Sequence, residues 1–194
     1  MFSNRARPSM RLAVAFAAFA LAACSGRGEM RDPDNPSGFK VPRYVSIRSG
    51  KVNGRAGPSE EHPILWTYTA KGLPVQIVAE TQDWRRICDP EGGLSWVKRS
   101  FVTGERKVMR LKPERLAVRR RPAADAPIAA YLNPRGVAAL DRCDKGWCRI
   151  EVGEQQGWAP ENEIWGTAPA PQCRGATGAN RTQVIGPAVA AGPG

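Results

Sequence analysis

Apolar and polar positions alternate in short bursts along most of this chain. "LPVQIVAE" (73–80) is β-branched and apolar, "WRRIC" (84–88) follows it, and "LSWVKRSFV" (94–102) comes next. Between them stand "TQD" and "DPEGG", which are turn residues. The same order returns downstream as "VAALDRC", "DKG", "WCRIEV", "GEQQ" and "GWAPENEIW". Short strands at close spacing, punctuated by Gly, Pro and Asp, predict a small all-β barrel or sandwich. No segment holds a sustained 3.6-residue period with caps, so helix should be minor.

The return is a true repeat. "NGRAGPSEEHPI" (53–64) and "AVRRRPAADAPI" (117–128) place Arg55 with Arg119, Pro58 with Pro122, Pro63 with Pro127 and Ile64 with Ile128. The register runs on through Gly72 and Gly136, then Trp84, Arg86 and Ile87 match Trp147, Arg149 and Ile150. Trp96 matches Trp158, and Gly104 matches Gly166. Residues are lost only at the turns, where chains tolerate length change. Two copies of one fold follow.

Each copy resembles a bacterial SH3-like (SH3b) domain. The first carries Asn53-Gly54-Arg55-Ala56-Gly57-Pro58-Ser59, Gly72, Trp84, Ile87 and Trp96-Val97. The second carries Val118-Arg119-Arg120-Arg121-Pro122, Gly136, Trp147, Ile150 and Gly157-Trp158. The first departs from the pattern at Gly54, where an apolar residue is usual, and at Ser95, where Gly precedes the Trp. The second puts Arg121 where the loop glycine Gly57 stands, and a positive φ there would strain an arginine. The fold expected is all-β, two tandem SH3-like barrels at 43–105 and 106–167. The two should lie close, since only "ERKVMRLKP" joins them.

The resemblance implies binding of extended peptide in shallow aromatic grooves. If Ile87 and Ile150 point inward, Trp84 and Trp147 point outward or to a rim. Trp84, Arg86, Trp147, Arg149, Arg55 and Arg119 are therefore the candidate ligand-binding residues, with burial of each Trp as a core cap the alternative. Trp96 and Trp158 read as core caps, and Tyr68 and Tyr131 as loop neighbours.

The start of the chain sets the compartment. "MFSNRARPSMR" is basic and "LAVAFAAFALAA" (12–23) is an unbroken apolar run. Helical, that run spans about 18 Å, short of a bilayer core of about 30 Å. Residues 1–23 thus read as an export signal. "LAAC" resembles the bacterial lipoprotein signal, which would make Cys24 the lipid-modified first residue, with plain cleavage as the alternative. Ser25 in place of Asp implies the outer membrane, on the periplasmic side. Residues 24–42 are polar and Gly/Pro-rich, a flexible tether, and 168–194 form an Ala/Gly/Pro tail expected to be disordered apart from any tie at Cys173.

Export pairs the cysteines. With Cys24 lipidated, four of the five remain. "CDKGWC" sets Cys143 and Cys148 astride a turn, within disulfide reach, and Cys88 with Cys173 follows by elimination. A metal site is the weak alternative, since His62 is the sole histidine and no CxxC occurs.

The net charge is +11, of which Arg5, Arg7 and Arg11 fall in the leader. A basic exported chain meets wall polymer or anionic lipid rather than nucleic acid. No nucleophile–base pair or phosphate loop stands out, so no enzyme and no cofactor is expected. The function expected is non-enzymatic recognition of peptidoglycan peptide or an envelope component. The alternative is an envelope interaction adaptor with no wall ligand.

Overall fold

Thirteen short strands carry the described residues, 36–173, of a computed structural model. The first barrel is built from β1 (Arg43–Ile47), β2 (Val52–Arg55), β3 (Ile64–Tyr68), β4 (Pro74–Glu80), β5 (Trp84–Cys88), β6 (Leu94–Lys98) and β7 (Val102–Thr103). The second uses β8 (Lys107–Met109), β9 (Leu116–Arg119), β10 (Ile128–Leu132), β11 (Val137–Asp144), β12 (Trp147–Val152) and β13 (Gln155–Pro160). One sheet runs β3-β2-β6-β5-β4-β1-β7 and the other β10-β9-β13-β12-β11-β8. Strand for strand the second repeats the first. A 3₁₀ turn follows β6 (Arg99–Phe101) and β13 (Glu161–Glu163) alike, and the described residues contain no α-helix. Where β7 pairs with β1, a single bridge joins Trp165 to Met109.

Period-two alternation fills each core. Ile47, Val52, Leu73, Val75, Ile77, Ile87 and Val97 are wholly buried in the first, and Val108, Val118, Leu132 and Ile150 in the second. Each such side chain contributes roughly 1.5–3 kcal/mol by leaving water. β8 serves both barrels. Val108 enters the second core, while the next residue, Met109, is 2% exposed within the first. Successive side chains point to opposite faces of a strand, so this one strand couples the two units.

The chain past β13 continues the coupling. Tyr44 meets Trp165 edge-on, centroids 5.2 Å apart. Gln76, wholly buried in β4, donates from Nε2 to the Ala170 carbonyl (2.9 Å) and accepts at Oε1 from the Gln172 N–H (2.9 Å). Cys173 is bonded to Cys88, and Cys143 to Cys148. Residues 168–173, assigned to the tail by composition, therefore form an ordered strap along the first barrel. The remaining tail, the 1–23 leader and Cys24 lie outside the described residues. No helix among the described residues is long and apolar enough to cross a membrane.

The end of the tether is also tied down. Ser37 donates from its backbone N–H to Glu80 Oε1 (3.1 Å), and Arg43 pairs with Glu80 Oε2 at 2.5 Å. Burial works to raise the Glu80 carboxyl, but hydrogen bonds from Ser37 and Arg43 outweigh it and hold the group below the usual carboxylate range.

Candidate functional site

The repeated phrase builds a loop latch in each barrel. Arg55 donates to the His62 carbonyl (2.8 Å), and Arg119 donates to the Ala126 carbonyl (2.7 Å). Backbone bonds from Ala56 N–H to Pro63 O and from Arg120 N–H to Pro127 O close both loops the same way. The positive φ expected at Gly57 is absent, and Arg121 has none either. Gly57 is needed for a different reason: a Cβ there would lie 2.3 Å from the His62 ring. In the second barrel Ala126 replaces that ring, and Arg121 fits without strain. His62 itself is held locally, its Nδ1 2.8 Å from Ser59 Oγ.

Trp84 opens β5 on the barrel's outer face, opposite in parity to Ile87. It is nonetheless only 8% exposed. Lys98, its partner on β6, sets Nζ 6.0 Å from the ring centroid. Lys98 also pairs with Glu60 from the long loop. That hydrogen bond, with the lysine charge behind it, holds the Glu60 carboxyl below its usual range. A hydrogen bond from Ser59 does the same for Glu61.

Two hollows meet over this group. One, about 280 Å³, is lined by Lys51, Asn53, Arg55 and Phe101, and the other, about 390 Å³, by Ser59, Glu61, Asp83 and Arg99. Trp84, Glu60 and Lys98 belong to both, so the ion pair divides one open groove. Beyond the shared residues, the first hollow adds two cations, Lys51 and Arg55, and the second adds two carboxylates, Glu61 and Asp83, with Arg99 beside them. The arrangement suits a short ligand that carries both charges.

The second barrel repeats the frame without the chemistry. In register, Ala124 stands for Glu60, Pro160 for Lys98 and Ala117 for Asn53. Trp147 is half-buried, opposite Pro160 across β13. Of the residues singled out from sequence, Trp84 and Arg55 come together in the groove. Arg86, Trp147, Arg149 and Arg119 do not join them. Arg86 and Arg149 instead lie opposite Trp96 and Trp158 on the outer face. Sequence reading missed Lys98, Lys51 and Glu60. The "WVK" run held the signal, since Lys98 shares the face of Trp96 while Val97 turns inward.

A buried polar group lies under β3 and β6 of the first barrel. Tyr68, expected near a loop, is wholly buried and donates to Asp89 Oδ2 (3.1 Å), with Ser95 Oγ 3.0 Å away. Burial raises both the Asp89 carboxyl and the Tyr68 hydroxyl. In the second barrel Leu132 takes the tyrosine's place.

The family described as bacterial SH3 domain matches residues 48–104 and 112–166. No curated protein matches the chain. Solved structures similar to it include NlpC1 and NlpC2 from Trichomonas vaginalis, at 11% and 12% identity with TM-scores of 0.29 and 0.30. Another is an NlpC/P60 family protein from Bacillus cereus ATCC 10987, at 14% identity and a TM-score of 0.28. These alignments cover 66%, 71% and 62% of this chain and 47%, 52% and 55% of the others. The chain thus spans about half the length of the solved structures it matches.

Proposed function

The chain belongs to the bacterial SH3 domain family, and from that premise we propose that it is a non-catalytic binding protein of the cell envelope. Its groove on the first barrel holds a short peptide bearing both an amine and a carboxylate, the chemistry of a peptidoglycan stem peptide. The observation that carries this reading is the Lys98–Glu60 pair standing over Trp84 between two hollows. A ligand carboxylate can take Lys98 and a ligand amine Glu60, exchanging one ion pair for two. Hydrogen bonds with a charged partner are the strong ones.

The test is binding of purified protein to isolated sacculi and to soluble muropeptide. Surface ion pairs contribute little to stability, so Lys98→Ala and Glu60→Ala should fold normally. Each should weaken muropeptide binding about tenfold, the effect of losing one charged hydrogen bond. Trp84→Phe is the informative tryptophan change, because Trp84→Ala would also open a void. If no variant differs from wild type, the groove is not the site.

The burial of Trp84 favours a second reading, an envelope adaptor that binds a protein and no wall. Failure of the wild type to bind sacculi or muropeptide would select it.

Two disulfides fit an oxidising compartment. With the export-type leader, this supports a periplasmic protein; the "LAAC" run is what motivates the further proposal of a lipid anchor at Cys24 in the outer membrane. Intact mass of protein extracted from membranes tests the anchor: no acyl mass on a chain beginning at residue 24 would remove it.

A further inference from the structure

One row of side chains crosses the outer face of each barrel and is the same in both. In the first, Arg86 on β5 lies opposite Trp96 on β6, Trp96 opposite Arg55 on β2, and Arg55 opposite Ile64 on β3. In the second, Arg149 lies opposite Trp158, Trp158 opposite Arg119, and Arg119 opposite Ile128. Even the bulge beside the row recurs, between Gly54 and Arg55 and between Ile128 and Ala130. The neighbours along each strand, Val97 and Ser95 or Ala159 and Gly157, are buried, so the row faces outward.

Neither tryptophan belongs to a core. Trp96 and Trp158 are half-buried and lie outside both hydrophobic clusters, which corrects their reading as core caps. Arg142, one strand beyond Arg149, extends the second row and places its guanidinium 5.5 Å from the Trp158 ring centroid. Arg86 is exposed and has no ion pair among the described residues. In the second row Arg149 donates to Gln156 Oε1 (2.6 Å), and Arg149 and Arg142 both pair with Asp141 (3.8 and 2.7 Å).

We infer that these rows form a second binding surface, for an acidic polysaccharide. Adjacent strands lie about 4.8 Å apart. The arginines on either side of each tryptophan are thus about 10 Å apart at the backbone, with an aromatic ring between them. A sugar ring stacks on the indole through its C–H face. Its carboxylates pair with the Arg86 fork and with the donors that Arg55 and Arg119 keep beyond their single bond to a loop carbonyl, a planar match. Two rows of the same order on barrels coupled through Met109 suit a ligand that itself repeats, since a polymer engaging one row meets the other at high effective concentration. The groove reading rests on Lys98, Glu60 and Trp84, and the two surfaces share only Arg55, so the row is tested at residues that lie outside the groove.

The experiment titrates the disulfide-intact chain with size-selected polygalacturonate, neutral dextran of matched length, and oligodeoxythymidylate, across a salt series. Wild type should bind polygalacturonate and not dextran. Trp96→Ala with Trp158→Ala should weaken binding about tenfold or more, in line with stacking on the outward face of a half-buried ring. The Phe pair at the same positions should retain most of it. Arg86→Gln with Arg149→Gln should weaken binding and flatten its salt dependence. The charge-matched pair Arg48→Gln with Arg120→Gln, off the row, should do far less. If the alanine pair does not fold, by circular dichroism, the phenylalanine and arginine pairs decide. Wild-type affinity in the Trp and Arg row variants would overturn the inference. So would an equal loss in the off-row pair, or tighter binding of the oligonucleotide.

Discussion

Replacing Cys88 and Cys173 together by alanine should cost roughly 4 kcal/mol of unfolding free energy, and replacing Cys143 and Cys148 only about 2 kcal/mol. The difference follows from what each bridge encloses. The first joins positions 85 residues apart and the second positions 5 apart, and cross-links restrict the unfolded chain more as the loop lengthens. The large loop contains the whole second barrel, from β8 to the 3₁₀ turn after β13, together with the strap. Closing it therefore ties that barrel's end to β5 of the first. Cys88 is wholly buried, so the alanine also leaves a small void. Urea titrations of the two double variants beside wild type decide the matter. Equal losses would mean that the strap docks as firmly without its bond, held by Gln76 alone.

The strands, the turns and the repeat were legible because each is a local property. Alternation around Ile87 and Ile150 and the turn residues at "TQD" and "DKG" fix where the chain extends and where it reverses. The Cys143–Cys148 bridge was legible for the same reason: the hairpin sets the two residues opposite each other. The cover over Trp84 was not, since it comes from Lys98 on another strand and Glu60 on a distant loop. The strap escaped notice because hydropathy sees no side chain worth burying in "APAPQC". Apart from its disulfide at Cys173, it is held by main-chain groups meeting one glutamine. Gln76 within "LPVQIVAE" was the available clue, because a polar side chain in a buried strand needs a partner. Of the candidate site, sequence found Trp84 and Arg55 and assigned the remaining arginines to a groove. They lie instead in a row, which only strand pairing reveals.

The two departures of the first barrel from its family pattern compensate each other, and Gly54→Val should show it. A Cβ on Gly54 would lie 2.5 Å from Ser95 Oγ and 3.1 Å from Tyr68 Cε2. The second barrel solves the same crowding in reverse: Val118 occupies the position of Gly54, and Gly157 that of Ser95. A Cβ on Gly157 would lie 2.7 Å from Val118 Cγ1. Each site thus holds one side chain, Ser95 from β6 in the first barrel and Val118 from β9 in the second. Gly54→Val alone should cost about 3 kcal/mol by overpacking. Ser95→Gly alone should cost about 1 kcal/mol, through backbone freedom and the lost contact to Tyr68. Together they should cost less than their sum by about 1–3 kcal/mol, the range for residues in direct contact. Tyr68 keeps its bond to Asp89 in the double variant, so the buried phenol is not orphaned. The reverse exchange, Val118→Gly with Gly157→Ser, should not recover as well. A Cβ on Gly157 also falls 2.8 Å from the Arg119 carbonyl oxygen, which is backbone and does not swing aside. Chemical denaturation of the four proteins in each cycle measures both terms. Additive losses in the first cycle would mean that Gly54 and Ser95 are independent choices, and that the buried Tyr68 hydroxyl alone made room for the serine.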